Sequence, residues 1–163
     1  MSLSRLGKFN RIMGLDVSSN SYAFSIFENG QLVSWGEIDL TGVDHTQRLI
    51  RLRKYLLALR GSWGKFDCVV LEKPIFVNSN LTASLLSQTA GVVKSIMAED
   101  TFFLEVTPNE WYSVIGNKQW TKLQKAEFKR EHPDKTESWY KGQFREARKQ
   151  FTRDWVKSQF DIT

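Results

Sequence analysis

Residues 12–40, IMGLDVSSNSYAFSIFENGQLVSWGEIDL, decide the fold class of this chain. Residues 11–16 form a short apolar run, which is typical of a buried strand. Residues 22–28 alternate in the manner of a second strand, with one face made of Tyr22, Phe24 and Ile26. The following pair, Asn29-Gly30, is a strong signal for a two-residue hairpin. A third strand over residues 31–40, with Leu32, Trp35 and Ile38 as candidate packing residues, completes a predicted three-stranded antiparallel meander.

The rest of the chain alternates helical and strand patterns. Asp44 is a candidate N-cap for a helix over residues 45–60, whose apolar stripe is Leu49, Leu52, Leu56 and Leu59. Residues 66–72, FDCVVLE, predict a strand covered on both faces, as parallel strands are. A second helix is predicted over residues 81–98, and four of its apolar residues share one face: Leu81, Leu85, Val92 and Ile96. A fifth strand is predicted over residues 101–106 and a further helix at Thr107-Pro108. Two basic helices broken near His132 complete the α/β pattern.

Length and composition favour one globular domain with a substantial core. The chain has 163 residues, of which 41% are hydrophobic, and one cysteine, Cys68, which we interpret as a small buried side chain. A single cysteine excludes a disulfide framework and a cysteine-rich zinc site. The N-terminal residues lack the apolar region of a signal peptide, and no apolar run of about 18 residues occurs. We therefore expect a soluble, cytoplasmic protein with no membrane partner.

Positive charge is concentrated near the C-terminus. The formal net charge is +5, and the stretch from Lys118 to Lys157 contains twelve Lys and Arg residues against six Asp and Glu residues. Such an excess on one segment favours a polyanionic partner, with nucleic acid as the leading candidate. The alternative is a solvated helical surface with no partner.

Two acidic residues end apolar strands in the same way. Asp16 follows the first strand's apolar run, and Glu72 ends the fourth. If these strands lie side by side and parallel, their carboxyl ends bring the two carboxylates together, where sites form in α/β sheets. Paired carboxylates repel unless a cation joins them, and hard oxygen ligands suit Mg²⁺ or Mn²⁺. Acidic sites that hold two such ions about 4 Å apart catalyse phosphodiester hydrolysis: one ion activates the water and the other stabilises the leaving oxygen. The alternative for Asp16 is a turn or capping residue.

Three stretches together resemble a known family. They are GLDVSSNSYAFSIFENGQ, VVLEKPIFVNSNLTASLLSQTAGVV and LEVTPNEWYSVIGN, and they look like the RuvC-type Holliday junction resolvases of the ribonuclease H-like superfamily, especially their bacteriophage variants. The resemblance spans nearly the whole chain. It implies one ribonuclease H-like nuclease domain over residues 1–163. Its α/β fold would be a five-stranded mixed sheet of order 3-2-1-4-5, flanked by helices and followed by basic C-terminal helices.

The resemblance also implies site residues. The family's metal-binding Asp and Glu fall on Asp16 and Glu72, which would be both catalytic and metal-binding, and its Gln and Gly on the next helix fall on Gln88 and Gly91. The family inserts an apolar or aromatic wedge into the junction after the Glu, so the expected DNA contacts there are Lys73, Ile75, Phe76 and Asn78. Helical spacing adds cations expected to contact phosphates with little sequence preference: Lys118, Lys122, Lys125, Arg145, Arg148 and Lys149.

The function implied is that of a structure-selective endodeoxyribonuclease. It would resolve four-way or branched DNA as a homodimer with two Mg²⁺ or Mn²⁺ ions. The family's closing helix carries two more acids in a D-x-x-D-A pattern, and this sequence has no such pattern. The expectation is either a truncated enzyme, inactive as it stands, or a junction-binding module without full catalysis.

Two other interpretations stay open. A sugar-kinase or actin-like ATPase also places a hairpin after an Asp, but its phosphate loop favours Gly where this chain has Ser18 and Ser19. A DNA-binding module with a vestigial site is the second. Nucleotide binding would indicate the first, and junction binding without cleavage would indicate the second.

Overall fold

The structure is a computed structural model that describes residues 8–18, 21–40, 44–73, 80–98 and 100–160. Its elements are β1 (Arg11–Val17), β2 (Ser21–Glu28), β3 (Gln31–Asp39), α1 (His45–Trp63), β4 (Cys68–Glu72), α2 (Asn80–Met97), β5 (Phe102–Val106), α3 (Pro108–Val114), α4 (Lys122–Glu131) and α5 (Glu137–Phe160). The chain divides into two compact units, Met1–Pro108 and Asn109–Thr163. The first unit holds the sheet with α1 and α2, and the second holds α4 and α5.

The five strands form one mixed sheet in the order β3-β2-β1-β4-β5. β1 pairs antiparallel with β2, and β2 with β3, whereas β1, β4 and β5 run parallel. Asn29 and Gly30 both have left-handed backbone angles, with φ of 51° and 80°, as the favoured two-residue hairpin turn requires. The predicted meander and the order 3-2-1-4-5 are confirmed.

The main core of the first unit joins one face of the sheet to α1 and α2. Met13, Leu15 and Leu71 belong to it, together with residues from every neighbouring element: Tyr22, Ile26, Val69, Val93 and Ile96. The predicted stripe of α1 is confirmed for Leu52, Leu56 and Leu59, which are buried, while Leu49 is half-buried. Burying one such side chain stabilises the fold by about 1.5–3 kcal/mol. These contacts hold β1 and β4 in register.

Two predicted packing residues are exposed. Trp35 is 57% exposed because it pairs with Ser25 on the face away from the core, and Gly36 lies opposite Phe24 on the core face instead. Leu81 is 70% exposed because α2 buries only residues in its second half, from Thr89 to Met97. Its helix neighbours Leu85 and Val92 are half-buried.

Two smaller predictions in the first unit are confirmed. The Asp44 carboxylate caps α1, accepting a hydrogen bond from the Gln47 backbone N–H at 3.0 Å, which satisfies one of the free donors of the first turn. Cys68 is fully buried in β4.

The second unit packs around an aromatic group. Phe128 of α4 contacts the rings of Trp120, Trp139, Tyr140 and Phe144, which we call the Phe128 cluster. Thr121 and Gln124 form a reciprocal capping box at the start of α4. The predicted break is confirmed, since α4 ends at Glu131 and α5 begins at Glu137, with Pro133 between them.

None of the helices in the described ranges is long and apolar enough to cross a lipid bilayer.

Candidate functional site

Asp16 and Glu72 occupy neighbouring positions at the carboxyl end of the sheet. β1 and β4 pair in parallel with Leu15 opposite Leu71, so the next residue of each strand is Asp16 and Glu72. Neighbouring strands lie about 4.8 Å apart. The register therefore brings the two backbones within reach of a shared ligand, as the sequence hypothesis requires.

Strand alternation fixes the direction of both carboxylates. Leu15 and Leu71 are buried in the core, and successive side chains of a strand point to opposite faces. Asp16 and Glu72 therefore leave the sheet on the other face, where Asp16 is exposed and Glu72 is half-buried. Gly14 shares this face, and a Cβ there would lie 2.6 Å from the Ser25 hydroxyl oxygen, so a larger residue would require that hydroxyl to move.

The Asp16 carboxyl is in an environment that opposes its ionisation. Its pKa is raised above the usual value of 3.8, first because the surrounding chain removes water from it and second because of the negative charge of Glu37. A nearby cation would act in the opposite direction, since it favours the charged carboxylate.

Glu37 is a further acidic residue near Asp16 that the sequence pattern did not indicate. It pairs with Ala23 of β2, which in turn pairs with Asp16, so the three residues form a row across the sheet. The placement depends on a β-bulge: Phe27 pairs with Leu32 but Ile26 pairs with Ser34, leaving one extra residue in β3. A one-residue shift moves every later side chain to the opposite face. No local sequence signal announces this bulge.

The donor set fits a hard divalent cation held by few protein ligands. Mg²⁺ keeps several waters and is commonly held by one or two carboxylates together with substrate phosphates. Asp16 and Glu72 provide two such carboxylates. Within residues 8–18, 21–40, 44–73, 80–98 and 100–160, no group of three or more His, Cys, Asp or Glu side chains could hold a metal ion. The described residues therefore suit one such ion better than two.

The segment expected to enter the junction lies mostly outside the described residues, since Ile75, Phe76 and Asn78 belong to residues 74–79. Lys73 is described: its side chain is exposed, and its backbone N–H donates to the Val106 carbonyl at 2.7 Å. Gln88 is exposed on α2 and donates to the Ser84 hydroxyl at 3.2 Å. Gly91 is also exposed, and a Cβ there would meet no atom within 4 Å, so its conformation does not demand glycine.

The predicted cations of the second unit separate into two groups. Lys118, Lys122 and Lys149 are exposed on the surface. Lys125, Arg145 and Arg148 instead line one shared cavity of about 250 Å³. The structure thus brings together three of the six side chains that the helical spacing singled out.

The uncharged lining of this cavity was also missed. It consists of Tyr112, Gln119, Trp120 and Phe144. No sequence pattern singles out Tyr112, Gln119 or Phe144 or connects them with the cations, because they come from α3, the α3–α4 connection and α5. Their convergence is a property of the tertiary structure.

No family model matches the sequence, and no curated protein matches it. Among solved structures, the chain is similar to Thermus thermophilus RuvC in complex with a Holliday junction substrate, with a TM-score of 0.58 and 13% identity, covering 64% of this chain and 69% of that chain. A second Thermus thermophilus RuvC structure gives a TM-score of 0.56 and 14% identity, covering 71% of this chain and 75% of that one. The five-stranded mixed sheet and its order match these structures, so the fold is ribonuclease H-like.

Proposed function

We propose that this chain is a structure-selective endodeoxyribonuclease that cuts four-way or otherwise branched DNA by metal-assisted hydrolysis. The observation that carries the proposal is the parallel register of β1 and β4, which sets Asp16 beside Glu72 at the carboxyl end of a ribonuclease H-like sheet. Thermus thermophilus RuvC, which shares this fold, has been solved with a Holliday junction substrate. The concentrated positive charge of residues 118–157 supports a DNA substrate.

In this proposal Asp16 and Glu72 would hold Mg²⁺ or Mn²⁺, and the bound metal would supply an activated water and stabilise the leaving oxygen. Asp16 must lose its proton before it can act as a ligand, and its pKa is raised. At a low metal concentration, cleavage should therefore decline on the acid side at a higher pH than for an ordinary aspartate. We also propose a second ion, which would need ligands beyond these two.

The DNA contacts have two proposed roles. Lys73, next to Glu72, would neutralise a phosphate near the cut, while Ile75, Phe76 and Asn78 would enter the junction, where Phe76 could stack on an unpaired base. The cations of the second unit would hold phosphate backbones of the arms: Lys118, Lys122, Lys125, Arg145, Arg148 and Lys149. Such contacts position DNA without reading its sequence.

We further propose that the active form is a homodimer. A four-way junction has two-fold symmetry and is resolved by two symmetrically placed cuts, and a two-fold dimer supplies two equivalent sites. Analytical ultracentrifugation of the protein with and without a junction measures this directly. A single copy per junction would contradict the dimer.

The test is cleavage of a synthetic four-way junction in Mg²⁺ or Mn²⁺, read alongside junction binding in a gel-shift assay. Wild-type protein, Asp16→Asn and Glu72→Gln are compared with the control Glu105→Gln. Glu105 pairs with Leu71 in the sheet and forms an exposed ion pair with Lys94 at 2.8 Å, on the core side of the sheet. We expect paired nicks from wild type and Glu105→Gln, and a loss of about a hundredfold or more in the other two variants.

A junction-binding module without catalysis is the second candidate, because no group of three or more His, Cys, Asp or Glu side chains among the described residues could hold a metal ion. Preferential junction binding with no nicks from wild type would select this module over the nuclease. Equal affinity for junction and linear duplex would overturn both.

A further inference from the structure

A cavity in the second unit combines aromatic walls with positive charge. It has a volume of about 250 Å³ and lies between α3, α4 and α5, lined by Tyr112, Gln119, Trp120, Lys125, Phe144, Arg145 and Arg148. Pockets for drug-sized ligands begin at about 300 Å³. This cavity is therefore sized for one small group.

The walls can receive a planar ring. Trp120 and Phe144 lie with ring centroids 5.1 Å apart at an angle of 49°. Also in the lining, the Arg148 guanidinium lies 3.8 Å from the centre of the Tyr112 ring. Aromatic rings and guanidinium planes are the surfaces on which nucleic-acid bases stack.

The charge of the cavity is one-sided. Its lining contains three cations and no carboxylate among the described residues. The Arg148 Nε–H is buried and has no hydrogen-bond partner among those residues, and the Lys125 ammonium group lies 5.6 Å from the Phe144 ring. Together, the three cations of the lining favour an anionic ligand in the cavity.

The backbone that carries Arg148 is held in place before any ligand enters. Asn117 is only 5% exposed, and its side-chain amide donates to the Arg148 carbonyl at 2.8 Å and to the Thr152 hydroxyl at 3.0 Å. Stacking on Tyr112 restricts the guanidinium further. A site formed in advance loses less conformational entropy on binding.

We propose that this cavity binds one unpaired nucleotide of DNA, with the base against the aromatic walls and a phosphate on the cations. The proposal rests on the proposed function, in that the nucleotide is taken to be part of the DNA substrate. Phosphate alone would leave the aromatic rings of the lining unused, and an uncharged ring would leave its three cations unused. A nucleotide uses both kinds of side chain.

The test follows the indole N–H signal of Trp120 in ¹⁵N-labelled protein, assigned through Trp120→Phe. The probes are single-stranded tetradeoxyadenylate, deoxyadenosine 5′-monophosphate, deoxyadenosine and inorganic phosphate. We compare Arg145→Gln, which loses a cation of the cavity, with Lys141→Gln, which loses an exposed cation four residues earlier on α5.

We expect the Trp120 signal to saturate with the oligonucleotide and, more weakly, with the monophosphate. Arg145→Gln should weaken oligonucleotide binding about tenfold, the effect of one lost charged hydrogen bond, and Lys141→Gln should leave it unchanged. Equal losses in both variants would overturn the site in favour of diffuse attraction. An equal response to inorganic phosphate would reduce it to an anion site, and tighter binding of the free monophosphate would overturn DNA as the source.

The two proposals fail separately. If wild type does not cleave junctions but the titration behaves as expected, the nuclease proposal fails and the cavity stands. If Asp16→Asn abolishes cleavage but Arg145→Gln leaves the titration unchanged, only the cavity proposal fails.

Discussion

The sheet unit and the helical unit position charged side chains in different ways. In the first unit, Asp16 and Glu72 each follow a buried leucine, so the core register fixes which face and which level they occupy. In the second unit, cations lie along α4 and α5. Within these two helices, Tyr140 is the one buried residue. A large apolar core can thus fix the positions of two neighbouring carboxylates, whereas a broad cationic surface needs only an aromatic cluster beneath it.

The largest expected effect comes from breaking the core beneath the pair. Leu71→Ala removes a fully buried side chain next to Glu72 and should lower the free energy of unfolding by about 2–5 kcal/mol. Urea unfolding followed by circular dichroism measures it. The matched control is Leu81→Ala, which should change stability by less than about 0.5 kcal/mol because that side chain is 70% exposed. Equal losses in both variants would contradict the assignment of the core.

A smaller loss is expected in the second unit from Asn117→Ala. The substitution removes two buried hydrogen bonds and leaves the Arg148 carbonyl with partners from its own helix, including the Thr152 hydroxyl. We expect the free energy of unfolding to fall by about 1–3 kcal/mol. If the two units unfold separately, the stability of the first unit should change less. Tryptophan fluorescence during urea unfolding measures this, since four of the six tryptophans lie in the second unit: Trp111, Trp120, Trp139 and Trp155. A stability equal to that of wild type would show that Asn117 does not brace α5.

Local patterns predicted most of the first unit because each element carries its own signal. The alternation of β2, the Asn29-Gly30 turn and the leucine stripe of α1 all act over a few residues. Trp35 and Glu37 were not placed correctly because both lie beyond the bulge in β3. Without that extra residue, the hairpin register would set Trp35 opposite Phe24, on the core face.

The second unit illustrates the opposite limit. Its helices and their break near His132 followed from charge, spacing and Pro133. The cavity did not, because Tyr112, Trp120 and Phe144 are separated in sequence and meet only after α3 and α5 have packed. Contacts between distant segments have no signal in a single sequence unless periodicity announces them.

Surface cations should affect DNA binding broadly and modestly. Lys122→Gln should weaken binding to a junction and to linear duplex by the same factor, and should reduce the slope of log affinity against log salt by about 1. Fluorescence anisotropy at several salt concentrations measures both. Lys94→Gln, which removes a cation paired with Glu105 in the first unit, serves as the control. A change in junction preference with Lys122→Gln would show that this side chain reads structure.

The smallest expected effect concerns the stability of the free site. The pKa of Asp16 is raised in the folded chain, so above the ordinary value of 3.8 the folded protein binds protons more readily than the unfolded one. The free energy of unfolding therefore falls as pH rises from the ordinary pKa of Asp16 to its raised pKa in the folded chain. Asp16→Asn should slightly increase the free energy of unfolding at pH 7, and the gain should vanish as pH falls below 3.8.

Glu37→Gln sharpens this last prediction, because it removes the second cause of the shift and leaves the first. The pKa of Asp16, measured by carboxyl ¹³C NMR, should fall towards 3.8 without reaching it. Adding Mg²⁺ should lower it further and should also stabilise wild type more than Asp16→Asn. If Asp16→Asn instead destabilises the protein at pH 7, the carboxylate has a structural role as a turn or capping group. A gain in stability on losing Asp16 would mean that the pair is maintained for its ligand.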